Sequence, residues 1–246
     1  MTLLWEHCQY PRWRNAGAWG AAFTRGLFQA SRPVKIVSTA CLLVLRGISK
    51  EKIEMKIDKT TLLARAKWLN LFDVTYRDHR GAQRTWQMAS RREQPKCADL
   101  EYDIPDAVII IPYHTERQRL VIIREFRVPL ADIEYGFPAG LVDPGETPVA
   151  AARRELYEET GLEVSAVLEV GPPLYSSAGM TDEAVAPVYV TCRGTPSREG
   201  NSASEKIWVD FLNPAQARAL CRDHHKKFDA KAWLIIKSFG DTGTIL

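Results

Sequence analysis

The sequence lacks the marks of several large protein classes. Its apolar run "VSTACLLVL", Val37 to Leu45, is flanked by Lys35 and Arg46 and falls well short of the roughly 20 residues a membrane-spanning helix needs. It also sits too far from the first residue to serve as a secretory signal, so no membrane partner is expected. Cysteine is sparse: there are five in 246 residues and none forms a Cys-x-x-Cys pair. An odd count without paired spacing argues against a disulfide framework and for a reducing, cytoplasmic setting. Cys221 stands near His224 and His225, but with no second ligand pair this reads as a polar helix end rather than a metal site. There is no Gly-x-Gly-x-x-Gly fingerprint, no phosphate loop, no internal repeat and no low-complexity segment. These absences set aside the dinucleotide-binding and P-loop classes.

Acidic residues are almost missing from the first fifty positions. That stretch holds seven Lys and Arg against Glu6 alone, a balance of +6, so with a whole-chain charge of +3 the rest stands at −3. A mildly acidic body offers no nucleic-acid surface, and no nucleic-acid partner is expected. Residues 1–54 also carry Trp5, Trp13 and Trp19 and read as a leader apart from the fold. Three accounts of it stand side by side: a non-native or dispensable extension ahead of a start at Met55, an organelle-targeting peptide, and a packed structural segment. What remains has an ordinary globular make-up, with the whole chain 46% hydrophobic and 26% charged. The length suits one large domain or two small ones.

Along the body, "WLNLFDVTYRD", Trp68 to Asp78, alternates and is rich in aromatic and β-branched residues, which predicts a strand. "DHRGAQ" turns the chain at Gly81 and "RTWQMASRR" returns it, a hairpin that cannot close a core alone. "DAVIIIPYH", Asp106 to His114, is a continuous apolar run and hence a buried strand, with "RLVIIREFRVPL" as its antiparallel partner. "DIEYGFPAG" is extended. Later strands are "LEVSAVLEVGPPLYSSAG", "EAVAPVYVTCRG" and "KIWVDFL", the last preceded by the polar loop Thr195 to Glu205. "NPAQARALCRDHH" has an Asn cap and a Pro at the first helical position, and "DAKAWLIIKSFG" is a closing helix that ends at Gly240. Many strands and few helices in mixed order give an α+β sandwich. Trp68 and Trp86 read as core or dimer-interface aromatics, with nucleobase stacking as the alternative. His79 and His114 fall in predicted turns and are expected to be exposed.

The most unusual segment is "GLVDPGETPVAAARRELYEETGL", Gly140 to Leu162. Thr147 can cap a helix, Pro148 fits its first position, three alanines favour it, and Gly161 is a left-handed stop. The spacing predicts a helix over Pro148 to Thr160, with Glu155, Glu158 and Glu159 on one flank. Clustered carboxylates repel one another, whereas a hard divalent cation such as Mg²⁺ or Mn²⁺ removes the repulsion. Arg154 can pair with a neighbouring acid and orient it. Glu146, on the preceding turn, is a possible outer ligand. The plain alternative is a solvated surface helix.

Gly140, Glu146, Arg154, Glu155, Leu156, Glu158, Glu159, Gly161 and Leu162 match every fixed position of the pattern G-x5-E-x7-R-E-U-x-E-E-x-G-U, with U aliphatic. In this the sequence resembles the Nudix hydrolases, and the likeness extends over about residues 57–240. The resemblance implies an α/β/α sandwich around a mixed sheet, residues 106–246, preceded by a small β-hairpin dimerisation subdomain, residues 55–105. It implies hydrolysis of a nucleoside diphosphate linked to a second moiety, with Mg²⁺ or Mn²⁺ as cofactor. Glu155 and Glu159 would be the main ligands, with Glu158 close by and Arg154 in support.

Flanking segments narrow the kind. "FPAG", Phe137 to Gly140, resembles the "LPAG" of ADP-ribose and nucleotide-sugar pyrophosphatases, which adds the Ala139 carbonyl to the metal set. "REFRVP" resembles their "EQFR-P" strand and implies that Arg127 and Glu125 touch substrate; an Arg fork suits a diphosphate. "YSSAGMTDE", Tyr175 to Glu183, resembles their "YPSPGFTDE" and brings Met180 and Asp182 to the pocket. The hairpin followed by "SRRE" resembles their dimerising part and implies a homodimer. Two positions depart from the ADP-ribose pattern: Ala178 replaces a proline, and Gly136 replaces an acid that here appears as Glu134. The implied substrate is therefore a nucleoside diphosphate sugar, ADP-ribose or a relative. A dinucleotide or dinucleoside polyphosphate, and a non-catalytic nucleotide-sensing module, are the alternatives. The general base implied by the family lies in the loop before the last strand, where Glu205 fits better than Glu199.

Overall fold

The computed structural model describes residues 55–197 and 206–246; the leader lies outside them. The chain begins with a three-stranded antiparallel sheet of β1 (Lys56–Arg65), β2 (Asn70–Arg77) and β3 (Gln83–Ser90). The predicted hairpin is β2–β3, paired from Asn70 with Ser90 to Arg77 with Gln83. Asp78 builds its turn, accepting the backbone N–H groups of Arg80 and Ala82 at 3.0 Å each. Arg84 donates to its other oxygen at 3.0 Å, and that bond leads the effects holding the Asp78 carboxyl below the usual range. β1 was not foreseen. "KIDKTTLLAR" does not alternate and is exposed at nine of its ten residues, so pairing with β2 alone makes it a strand. The surface of this sheet carries Leu62, Leu63, Trp68 and Trp86 exposed. Neither tryptophan is core: Trp68 precedes β2 under the Lys67 ammonium, and Trp86 donates its indole N–H to the Gly179 carbonyl.

After α1 (Lys96–Asp99) comes a nine-stranded mixed sheet. Its centre is β4 (Ala107–His114), where every residue but Tyr113 is buried, as its unbroken apolar run requires. β4 and β5 (Arg119–Arg127) pair only beside their turn, through Tyr113 with Leu120 and His114 with Arg119. Beyond it they part. The chain 132–141 fills the gap, with β6 (Asp132–Gly136) along β5 and β7 (Ala139–Leu141) along β4. The candidate site is built in that gap. After α2 (Pro148–Thr160) come β8 (Glu163–Val170), β9 (Leu174–Tyr175) and β10 (Ala184–Arg193), the last parallel to β4. β11 (Ile207–Leu212) pairs with β5, and α3 (Pro214–Cys221), β12 (Lys227–Phe228) and α4 (Ala230–Thr242) follow.

Both faces of the sheet are covered, which makes an α/β/α sandwich. Val108, Ile110, Val188 and Val190 pack against Ala151, Ala152 and Leu156 of α2. Ile109, Ile111 and Ile122 pack against Ala217, Ile236 and Phe239 of α3 and α4. Two expectations are corrected. His114 is fully buried, because Arg117 N–H donates to Nδ1 at 3.2 Å and Nε2 meets the Gly194 carbonyl at 2.9 Å, satisfying both nitrogens. The closing helix passes Gly240, which is buried beside Arg218, and stops at the left-handed Gly243.

Candidate active site

Helix α2 has the predicted limits. The Thr147 hydroxyl accepts the Ala150 N–H at 3.2 Å, Pro148 opens the first turn, and Gly161 closes the last with φ +73°. Its buried face is Ala151, Ala152, Leu156, Glu159 and Thr160. Anchoring Leu156 in the core turns Glu155 and Glu159 toward β7. The contacts there are close. The Ala139 N–H donates to Glu159 Oε2 at 3.2 Å. A Cβ on Gly140 would land on the carboxyl group of Glu155, so only a glycine leaves that carboxylate its place.

Arg154 organises the acids around it. Its fork takes both oxygens of Glu146, at 3.2 and 2.9 Å, and Nη1 reaches Glu155 at 2.6 Å and Glu158 at 3.3 Å. Nη2 also donates to the Leu141 carbonyl at 3.0 Å, tying the helix to the end of β7. The Glu146 bonds and the Glu155 charge raise the Arg154 pKa, so its cation is permanent. Arg154 in turn holds the Glu146 carboxyl below the ordinary range, helped by the Asp143 N–H. Glu146 thus serves Arg154. Glu158, half exposed, lies on the outer side of the guanidinium.

Glu155 and Glu159 form one wall of a cleft of about 630 Å³ that Ala139 and Gly140 also line. The same cleft is lined by Arg127, paired with Glu134 and Glu125 at 3.2 Å each, and by Arg91, paired with Glu183 at 2.7 Å. Lys231, bonded to Asp229 at 2.8 Å, lies at the N-terminus of α4 and also lines the cleft. The cleft therefore holds three cations, each already matched by acid. The structure brings Ala139, Glu155, Glu159, Arg127 and Glu125 together there. It does not bring Met180 or Asp182. Met180 projects outward at 70% exposure, and Asp182 turns inward to accept from Ser90 Oγ and the Lys96 N–H. Glu205 and Glu199 lie outside the described residues. Arg91, Glu183, Asp229, Lys231 and Ser176 were not singled out from sequence. Arg91 stood in "SRRE" and Ser176 and Glu183 in "YSSAGMTDE", whereas Asp229 and Lys231 had no motif around them.

The donor set fits a hard divalent cation. Among the described residues no three acidic, His or Cys side chains converge on one point. Magnesium does not need such a cage; it is commonly held by one or two carboxylates, with substrate phosphates and water completing the shell. Glu155 and Glu159, in a cleft beside Ala139, supply that number.

Residues 103–234 match the NUDIX domain. The chain is 33% identical over 136 residues to the ADP-sugar pyrophosphatase of Mus musculus, covering 54% of this chain and 59% of the relative. It is 28% identical over 160 residues to the ADP-ribose pyrophosphatase of Saccharomyces cerevisiae, covering 61% and 67%. The match to the mouse protein thus spans less than two thirds of that relative's length. A crystal structure of ADP compounds hydrolase superposes with TM-score 0.60 at 21% identity, covering 80% of this chain and all of that one, a likeness of fold. The matched family spans more than half of the chain and includes the helix that carries the clustered carboxylates, so the protein belongs to the NUDIX domain family.

Proposed function

We propose that this protein hydrolyses the diphosphate of a nucleoside diphosphate sugar, ADP-ribose or a related ADP-sugar, to a nucleoside monophosphate and a sugar phosphate. The observation that carries this reading is that two carboxylates on α2 and two guanidinium groups line one cleft. The names of the mouse and yeast relatives support the substrate class.

Glu155 and Glu159, with the Ala139 carbonyl, would hold Mg²⁺ or Mn²⁺, which when bound supplies charge neutralisation for a diphosphate and acidifies a water molecule. Arg154 holds Glu155 in place through its 2.6 Å bond while its fork occupies Glu146. Arg127 and Arg91 exchange their carboxylate partners for phosphate oxygens, a match of planar forks to tetrahedral anions. The acids they leave, Glu125, Glu134 and Glu183, face the same cleft and repel a misplaced diphosphate. Glu205 is assigned the proton of the attacking water, with Glu199 as its rival in the same loop.

Unpaired Cys97, Cys192 and Cys221 accord with a reducing cytoplasm. Among the described residues no helix is long and apolar enough to cross a membrane. The exposed Leu62, Leu63, Trp68 and Trp86 on the small sheet support a homodimer through residues 55–105. Glu159→Gln tests the reading. The amide oxygen can still accept from Ala139, so the fold stands while a ligand charge is lost. Turnover of ADP-ribose should disappear with little change in melting temperature; an active variant would refute the metal assignment.

A further inference from the structure

Lys96 is fully buried, in a short helix between the two sheets. Burying an ammonium is costly unless it is paired and hydrogen-bonded. Here its Nζ donates to Asp106 Oδ2 at 2.7 Å and to the Ile104 carbonyl at 3.0 Å. The same Asp106 oxygen accepts the Ala184 N–H at 2.8 Å. A second carboxylate repeats the pattern. Asp182 Oδ2 accepts the Lys96 N–H at 2.8 Å and the Ser90 hydroxyl at 3.1 Å.

These bonds tie the end of β3, the start of α1 and the entry to β4, all within residues 90–106, to the entry to β10, which is remote in sequence. Arg91 follows Ser90 directly. Glu183 lies between Asp182 and Ala184. They are the pair that meets at 2.7 Å in the cleft. Their side chains are 46% and 27% exposed, so packing alone does not hold them. The same joint is closed from the other side by the bridge between Ala89 and Thr181, with Ala89 N–H on the Met180 carbonyl at 2.8 Å.

We propose that Lys96, Asp106 and Asp182 are positioning residues that set the Arg91–Glu183 pair for substrate binding. Asp182 acts through Ser90 and Lys96 rather than by touching substrate. The consequence for turnover rests on the nucleotide-sugar reading; the placement of Arg91 does not.

Two variants test this, Lys96→Met and Asp182→Leu, the second keeping the branched shape of the side chain while removing the oxygen that accepts from Ser90 and Lys96, in case the first fails to fold. The first readout needs no substrate. In the wild type the Arg91 Nε–H, bonded to Glu183, should give a protected resonance in ¹⁵N NMR, and Asp182→Leu should lose it. The second is kinetic, with ADP-ribose and Mg²⁺. KM should rise about tenfold, within the roughly hundredfold that an ångström of misplacement can cost. In an Arg91→Ala background the same substitution should add nothing, because the effect travels through Arg91. An unchanged Arg91 resonance in Asp182→Leu, or KM effects that simply add to those of Arg91→Ala, would overturn the proposal. A wild-type protein that does not hydrolyse ADP-ribose, with the Arg91 resonance lost in the variant, would count against the nucleotide-sugar reading and leave the positioning intact.

Discussion

Gly140→Ala should separate activity from stability. Gly140 has no left-handed backbone, so alanine is conformationally acceptable there and even reduces the freedom of the unfolded chain, by about 0.4–1 kcal/mol. Against this, the new methyl would fall on the Glu155 carboxyl group. The obstacle is the end of a flexible side chain rather than backbone, so Glu155 can rotate away. An off-rotamer χ angle costs about 0.5–1.5 kcal/mol. The 2.6 Å charge-assisted bond to Arg154 would be lost as well, worth about 1.5–3 kcal/mol before allowing for its partial exposure. The net loss is about 1–2 kcal/mol. For a domain of this size that lowers the melting temperature by roughly 2–8 °C. Activity should suffer far more, because displacing a positioned group costs on the order of a hundredfold. Thermal melts and kcat/KM with ADP-ribose read both quantities on one preparation. Gly179→Ala, whose added methyl meets open space, is the control. Full activity in Gly140→Ala would show that Glu155 is not needed where it stands. Wholesale unfolding would show that the backbone, and not Glu155, yields.

Arg154→Ala removes the common partner of Glu146, Glu155 and Glu158, and should cut turnover on the order of a hundredfold; Arg154→Lys keeps the charge without the fork and should recover part of it. The same pair predicts a pH dependence. Arg154 depresses the folded-state pKa of Glu146, so the pair's stabilisation is complete above the ordinary glutamate value and is lost as pH falls through the depressed one. Carboxyl ¹³C NMR should show Glu146 titrating below the ordinary range, and shifting upward in Arg154→Ala. Mg²⁺ or Mn²⁺ should raise the wild-type melting temperature, with about 2.7 kcal/mol of stabilisation at a hundred times the dissociation constant. An equal rise in Glu159→Gln would place the ion elsewhere.

The site helix was readable because its signals are local: a Thr cap, a Pro at the first turn and a left-handed Gly bound it at the predicted residues. The continuous apolar run of β4 was equally plain. β1 was hidden, since an exposed edge strand has no periodicity and owes its shape to β2. His114 misled because a turn signal speaks for the backbone, while burial depended on Arg117 and Gly194, the second far away in sequence. Gly140 was a fixed position of the box, but its reason, the Glu155 carboxylate against its α-carbon, exists only in the folded chain. Asp182 was expected in the pocket and instead ties Lys96 to Ser90. Its neighbour Glu183 faces the cleft, a one-residue difference that alternation along an extended chain explains. Arg91, Asp229 and Lys231 come together from opposite ends of the fold, and no spacing announces them.

The most direct measurement is product analysis after incubation with Mg²⁺ and a panel of ADP-ribose, ADP-glucose, GDP-mannose, NADH and diadenosine polyphosphates. The expected products are a nucleoside monophosphate and a sugar phosphate, with ADP-sugars turned over fastest. Cleavage confined to a substrate without a sugar, or saturable binding with no product, would contradict it.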